Sequence, residues 1–445
     1  MTILALDLGT SSVRGLVLDQ AMVPVPGALA RRKPPLIMGD DGAATFDGPT
    51  YLAALIECLD ELSEAGHLAD VDLVAASAQW HSVVPLDAGG GPLGPVLTWL
   101  DTRPAALPGA RGPADEADFH HRTGTWWHRF YWTIRLPWLR QYLGATPARF
   151  AGLVEYVYGV LLDDAPMSAS QASGTGLLDL CTLDWDAEAC ALAGVRPQDL
   201  PALAPEGWRG RLRAQYARRW PELGRVEWAP PLGDGAASNA GSRCVDARRA
   251  AVTVGTSAAV RVIQPAPAGA ELPPLPHSLW RYRVDEQRVL TGAAYSAGGN
   301  LYKWANQVLR LPEGEALDAA LAKVPPGGGA GADPRLGGDR PPGLAPAGSG
   351  KFWGIGFGTT AVEMLAGLMD SLCQQVATDL IELESAVGHQ LEVVVGGGAV
   401  AASTWWRRAF DVALSPRPVF HLANPEVGAV GAALVAAGRL DEATP

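Results

Sequence analysis

Ile3-Leu4-Ala5-Leu6-Asp7-Leu8, Gly9-Thr10-Ser11-Ser12 and Val13-Arg14-Gly15-Leu16-Val17-Leu18-Asp19 follow one another at the start of the chain, and the fold is decided there. Two apolar, β-rich runs flank a short Gly/Thr/Ser turn, which is the pattern of a hairpin. The next periodicity is helical, with Leu52, Leu55, Ile56, Leu59 and Leu62 on one face of a segment from Phe46 to Ala65. Val71 to Ala78 then reads as a buried strand ending in Gln79-Trp80-His81. This alternation of strands and helix predicts α/β layers.

The opening pattern returns far down the chain. Val252-Thr253-Val254-Gly255-Thr256-Ser257 lies over Leu6-Asp7-Leu8-Gly9-Thr10-Ser11 position for position, with Thr253 in place of the acid. The separation is too long for a solenoid repeat. It suits two domains of related fold, roughly 1–232 and 233–445, each contributing one turn to a shared cleft; a chance match of one short string is the alternative. Between the two turns, Arg122 to Leu143 is rich in tryptophan and turns helical toward its end, and Gly233-Asp234-Gly235-Ala236 opens a further helix. Pro325 to Gly350 holds 15 Gly or Pro in 26 residues and is expected to form a surface loop without regular structure. A long helix from Thr360 to Val387, a strand from Leu391 to Val395, Gly396-Gly397-Gly398 and a small apolar helix from Ala429 to Ala437 complete the chain.

Composition narrows the function. The 445 residues are 48% hydrophobic and 18% charged, with a net charge of −12 and no long basic run. A nucleic-acid or anionic-membrane partner is therefore not expected. Any anionic ligand has to be held by local donors, and backbone N–H groups in glycine turns supply these without positive side chains. The five cysteines (Cys58, Cys181, Cys190, Cys244, Cys373) show no metal or redox spacing and read as small buried hydrophobes. No apolar run approaches the ~20 residues that span a bilayer, and the N-terminus shows no basic region or cleavage site, so a cytoplasmic location is expected.

Around Asp7 the residue types match what a phosphate ligand needs. Gly9 admits backbone close to a phosphate. Thr10, Ser11 and Ser12 add hydroxyls, Asp7 can hold Mg²⁺ directly or through water, and Arg14 can reach a phosphate oxygen. An ordinary polar hairpin turn has the same composition. Gly255 and Thr256 repeat the donors, and the Gly396–Gly398 run suits a flat ring lying close to backbone, or simply a tight turn. Asp234, between glycines at a helix start, reads either as an N-cap or as a carboxylate that orients a hydroxyl and accepts its proton. Gln79, Trp80 and His81, with Trp99, Asp101 and Arg103, bring polar and aromatic groups to one sheet edge, where open α/β sheets bind ligands. A core histidine is the competing reading for His81. Trp126, Trp127, Trp132 and Trp138 can be core, Trp138 most of all.

As an ordered set, these segments resemble the FGGY carbohydrate kinases, part of the wider group that includes actin-like ATPases, chaperone ATPases and hexokinases. The resemblance covers nearly the whole chain, from Leu4 to Ser12, through Ser77 to Ser82 and Trp99 to Arg103, to Gly233–Ala236, Thr253–Ser257 and Gly396–Ala399. It implies two actin-like, ribonuclease-H-like α/β domains, each a mixed sheet flanked by helices, around a central cleft. It implies ATP and Mg²⁺ as cofactors and a small sugar or sugar acid as acceptor. By the same resemblance Asp234 is the base, with Asp7 and Asp234 near the metal. Nucleotide contacts would come from Gly9, Thr10, Ser11, Ser12, Arg14, Gly255, Thr256, Gly298, Gly299, Gly397, Gly398 and Ser403. Acceptor contacts would come from Gln79, Trp80, His81, Trp99, Asp101, Arg103, His128 and Asn239. Arg122–Thr125 through Trp138-Leu139, Ala172–Asp186 and Asp234–Gly241 look similar to gluconokinases in particular. A gluconate carboxylate needs cationic or amide donors, for which Arg103, Arg135, Lys303, Asn239 and His128 are candidates.

The sequence departs from the family in places. Gly338-Asp339-Arg340 stands where Gly-Glu-Arg is usual, the segment Gly358–Leu365 lacks the usual His and Arg-Ala pattern, and Ser168 replaces a frequent acid. These changes bear on substrate and domain motion. Other acyclic sugars or polyols (xylulose, ribulose, glycerol, sedoheptulose) are alternative acceptors. A conformational ATPase of the same broad fold, or an inactive sugar sensor, are alternatives of another class. Oligomeric state stays open, with a homodimer among the options.

Overall fold

In the computed structural model of the chain, which describes residues 1–339, 348–422 and 426–440, two six-stranded sheets are built on the same plan. In the first, β1 (Thr2–Leu8) pairs antiparallel with β2 (Val13–Leu18), and β2 with β3 (Pro24–Arg32). Helix α1 (Gly48–Glu64) follows, capped by the Asp47 carboxylate on the Thr50 N–H. On the other side of β1, β4 (Val71–Ala78) runs parallel to it, and β5 (Glu227–Trp228) and β6 (Leu232–Gly233) run parallel to β4. A sheet covered on both faces needs apolar residues at every position of its central strand. Accordingly Leu4, Leu6 and Leu8 pack with Leu55, Leu59 and Leu62 of α1, while Ile3 and Ala5 face a different core. Asp7 is the exception in that strand, and its parity puts it on the Ile3/Ala5 face.

Helix α2 (Asp234–Gly241) leads into the second sheet. Here β7 (Arg249–Val254) pairs antiparallel with β8 (Ala258–Pro265). Next, β9 (Trp280–Asp285) and β10 (Arg288–Tyr295) extend the sheet antiparallel beyond β8. After α3 (Gly299–Val308) and the long α4 (Ala361–Val387), β11 (Glu392–Gly396) lies parallel to β7 and β12 (Val419–His421) parallel to β11. The repeated turn at Gly255-Thr256 thus occupies the same β–turn–β place as Gly9-Thr10. The residue match between them reflects a shared topology.

The two sheets are joined by a third core. Helix α5 (Val427–Ala436) returns to the first sheet and packs on β1 and β4 as well as on α2. The crossing of α2 and α5 is backbone on backbone. A Cβ on Gly241 would lie 1.9 Å from the Val427 carbonyl oxygen, and one on Gly431 would lie 1.8 Å from that of Ala237. Neither position tolerates any side chain.

Two expectations need correction. The Gly/Pro-rich segment does form a regular element: Gly331–Asp333 pairs antiparallel with Lys351–Trp353, and the Ser371 hydroxyl of α4 donates to the Ala332 carbonyl at 2.6 Å. Composition concealed it because the partner strand lies beyond the glycines. Asp339 is bound by Arg335, which also forks Asp333, whereas Arg340 lies outside the described residues. Trp138 is only partly buried, stacked on Tyr142 at 4.9 Å with the Arg103 guanidinium above it. Among the described residues, no helix is long and apolar enough to cross a membrane.

Candidate active site between the two sheets

A cleft of about 240 Å³ opens where the two sheets meet. Its walls come from both halves: Trp80, His81, Trp99, Trp126, Phe130 and Tyr131 on one side, and Asp234, the Thr253–Ala259 turn, Arg261, Trp280 and Tyr282 on the other. The Tyr131 and Tyr282 hydroxyls meet at 2.7 Å and tie the walls together.

Trp80 organises the floor. It is 6% exposed, and its indole N–H donates to the Ser170 carbonyl at 2.9 Å. Its ring rests against the residues on either side of Asp234. A Cβ on Gly233 would fall 1.9 Å from Trp80 Cε2, and one on Gly235 would fall 2.5 Å from Cζ3. The glycines around Asp234 therefore admit an indole. Gly233 is the N-cap of α2 and Asp234 its first residue, with the Asp234 side chain exposed to the cleft. His81 follows at φ 67°, a region a non-glycine residue seldom occupies, and its Nδ1 lies 2.7 Å from the Gly174 carbonyl oxygen.

The two turns differ in how they are held. In the first, the Gly9 N–H donates to the Ser12 carbonyl (3.1 Å) and the Tyr51 hydroxyl to the Gly9 carbonyl (2.9 Å). The Thr10 hydroxyl donates to Gln79 Oε1 at 3.1 Å and accepts from Trp99 Nε1 at 3.0 Å. Ser11 is exposed and Ser12 buried. In the second turn, the carbonyls of Gly255 and Thr256 accept the N–H groups of Gly299 and Asn300 at the start of α3, at 2.7 and 3.1 Å. Those donors would otherwise be orphans of the helix end. Gly298 allows the approach, since a Cβ there would meet Ser257 backbone at 2.6 Å. Gly397, at φ +98°, would place a Cβ 2.4 Å from the Val254 carbonyl oxygen, whereas Gly398 faces open space.

Asp7 Oδ2 accepts from Arg14 Nε at 2.8 Å, and the other arm of Arg14 reaches Glu426 at 3.0 Å. Burial pushes the Asp7 carboxyl up, and Arg14 opposes the push. Arg14 is thus turned onto two carboxylates. No cluster of three or more His, Cys, Asp or Glu side chains among the described residues could hold a metal alone. Magnesium is commonly held by one or two carboxylates and completes its shell with water and phosphate oxygens, so a single acid at Asp7 fits it. Gln79 Nε2, buried and without a partner among the described residues, is a donor of the kind a bound polar ligand satisfies.

Several other residues singled out in the sequence are not among those that line the cleft. Asp101 is fully buried and forked by Arg103, and it also accepts from the Ala44 N–H. Asn239 is fully buried, with Nδ2 on the Arg261 carbonyl at 3.2 Å. His128 packs on Phe130 at 4.6 Å. Ser403 caps the helix Thr404–Leu414, bonding the Trp406 N–H. Arg135 is buried and donates to the carbonyls of His81, Thr98, Arg129 and Asp101, and Lys303 is exposed on α3. Conversely, Arg261, Tyr131, Trp280 and Tyr282 line the cleft without having been expected there. For Arg261 a signal existed: a lone cation within the apolar strand Ala258–Pro265.

Comparison with known proteins also gives two parts, with Asp234 inside the first of them. Residues 2–239 match the N-terminal domain of the FGGY family of carbohydrate kinases, and residues 250–439 match its C-terminal domain. The chain is 24% identical to the gluconokinase of Bacillus subtilis (strain 168), over 91% of this chain and 81% of that one. Among solved structures it resembles a gluconate kinase from Lactobacillus acidophilus, with a TM-score of 0.84 and 22% identity over 99% of this chain and 89% of the other. It also resembles a xyloylose kinase from Brucella ovis, with a TM-score of 0.86 and 24% identity over 100% and 92%.

Proposed function

This chain belongs to the FGGY family of carbohydrate kinases, which makes it an ATP-dependent phosphotransferase with an alcohol acceptor, and we propose that its acceptor is gluconate, phosphorylated to 6-phosphogluconate. The observation that carries the reading is the sharing of one cleft by Asp234, the Gly255-Thr256 turn and an aromatic floor.

In this proposal Asp234 orients the acceptor hydroxyl and takes its proton as the oxygen attacks the γ-phosphorus of ATP. A base of this kind is worth roughly 10²–10⁴-fold in rate. Backbone N–H groups and hydroxyls of the two turns would hold the phosphates, and the Gly397-Gly398 bend would lie along the adenosine. Asp7 would hold Mg²⁺, which when bound neutralises charge on the phosphate oxygens. Residues 1–232 would carry most of the acceptor site and 233–445 most of the nucleotide site. Closure of one on the other would exclude water as a competing acceptor. A cytoplasmic location accords with this chemistry.

A second reading, a kinase of a neutral ketose, is favoured by the likeness to the Brucella ovis structure. A panel of gluconate, xylulose, ribulose, glycerol and sedoheptulose, scored by ADP release with Mg²⁺, separates the two. The Asp234→Ala variant should lose transfer and keep nucleotide binding. Turnover near the wild-type level in that variant would remove the mechanism.

A further inference from the structure

We infer that Thr253 donates a hydrogen bond to the phosphoryl group in transit, and that Ser238, one helical turn after Asp234, aims it there. This deepens the kinase reading above and rests on Asp234 as its base, whichever sugar or sugar acid is the acceptor.

Helix and strand each place one hydroxyl. Ser238 follows Asp234 by four residues in α2, so the two side chains share a face about 6 Å apart. A serine inside a helix can bond a carbonyl of its own preceding turn. Here its Oγ instead lies 3.2 Å from Thr253 Oγ1 on β7. Val252 and Val254 pack into the core of the second sheet, so strand alternation turns Thr253 to the opposite face, toward α2. Thr253 lines the cleft together with Asp234, Gly255 and Thr256. Its partners on the flanking strands are Ala259 and Gly396, neither of which carries a polar side chain to engage the hydroxyl.

A count of hydrogens shows what the pair can give. When Ser238 donates to Thr253, the Thr253 hydrogen is left without an acceptor among the described residues and is directed at the cleft. Phosphate oxygens are acceptors only and suit such a donor. The matching position in the first half is Asp7, a carboxylate that can hold a cation but cannot donate when ionised. The two halves thus divide metal and phosphate between them. The spacing also suits transfer. A base about 2.7 Å from the acceptor oxygen, and that oxygen about 3 Å from phosphorus, together span about the separation of Asp234 and Ser238 on their helix. As the acceptor oxygen bonds to phosphorus and yields its proton to Asp234, the bond from phosphorus to the bridging oxygen breaks and its electron pair leaves with ADP. The three peripheral oxygens carry charge throughout, and Thr253 meets them from the side.

The test uses the acceptor that the panel above selects. Thr253→Val should lower kcat about 10²-fold while acceptor KM and calorimetric ADP affinity stay near the wild-type values, and Thr253→Ser should restore most of the rate. Binding of ADP with aluminium fluoride and acceptor, a mimic of the group in transit, should weaken by a similar factor in Thr253→Val. Ser238→Ala should cost about 3–10-fold in kcat and nothing further in a Thr253→Val background, because Ser238 acts through Thr253. ADP binding shows that each variant is folded, and Thr253→Ala carries the test if the valine variant is not. Wild-type turnover in Thr253→Val, or a loss of ADP affinity as large as the loss of rate, overturns the inference. Turnover retained in Asp234→Ala overturns the reading on which it rests; an inactive Asp234→Ala beside a fully active Thr253→Val overturns the role of Thr253 alone.

Discussion

Gly233→Ala puts the contact between Trp80 and the start of α2 to a direct test. The added methyl would lie 1.9 Å from Trp80 Cε2, 2.1 Å from Nε1 and 2.3 Å from Cζ2. The indole has nowhere to go, because its N–H is bound to the Ser170 carbonyl and its ring is packed at 4.9 Å on Tyr282 and 6.1 Å on Trp280. Over-packing of this kind costs about 1–3 kcal/mol. Displacing the indole also gives up its hydrogen bond, for about 1 kcal/mol more. We expect a loss of stability of about 2–4 kcal/mol in urea unfolding, summing the two. Asp234, the proposed base, is the next residue, and a shift of about 1 Å at a reacting group is worth roughly 10²-fold in rate. Turnover by ADP release should fall accordingly. In a Trp80→Leu background the same methyl meets a smaller side chain, so its stability cost should drop by more than about 0.5 kcal/mol. Equal costs in the two backgrounds would refute the steric account.

Glu155 is buried and its carboxyl is pushed up to about 8 from an ordinary 4.5, chiefly by burial. With the folded value above the unfolded one, the stability linked to this group is complete below about pH 4.5 and lost as pH rises through about 8. Glu155→Gln should therefore gain on the wild type with rising pH, by on the order of 3 kcal/mol near pH 7; urea midpoints at pH 5 and 8 that keep a constant gap would contradict this. Gly397→Ala, at a positive φ and against the Val254 carbonyl, should cost at least about 2 kcal/mol and weaken ATP binding more than acceptor binding in calorimetry. Thr10→Val keeps the shape but removes the link between Gln79 and Trp99, and should cost about 1–3 kcal/mol. Its KM for acceptor and for ATP should rise together, and a rise in only one would assign Thr10 to that site alone.

The hairpin and its echo were legible because each is local: apolar runs around a turn, read residue by residue. The buried β4 was legible for the same reason, since a strand buried on both faces leaves almost no polar position. What escaped depends on contacts distant in sequence. The glycines beside Asp234 read only as the surroundings of a helix start, and the fold shows that they make room for Trp80. Arg281 and Arg283 are fully buried in β9, where they donate to the carbonyls of Pro273, Leu180 and Ala266, partners that the sequence does not point to. Asp101 and Arg103 looked like ligands at a sheet edge but satisfy each other. Ser403 could have been recognised as a cap, because it immediately precedes an amphipathic helix.

The bare-backbone crossing of α2 and α5 also has a bearing on time. One of its helices is made long before the other, at about 5–20 residues per second on a ribosome. For tens of seconds, the face of β1 and β4 that carries Asp7 has no lid, and α2, with Asp234 at its head, has nothing to cross. The first half can complete its own α1-side core in that interval, but the face that carries Asp7 waits for a segment translated almost last. Nascent chains stalled before Val427 should accordingly be caught by chaperones through that uncovered face, whereas those released after Ala436 should not.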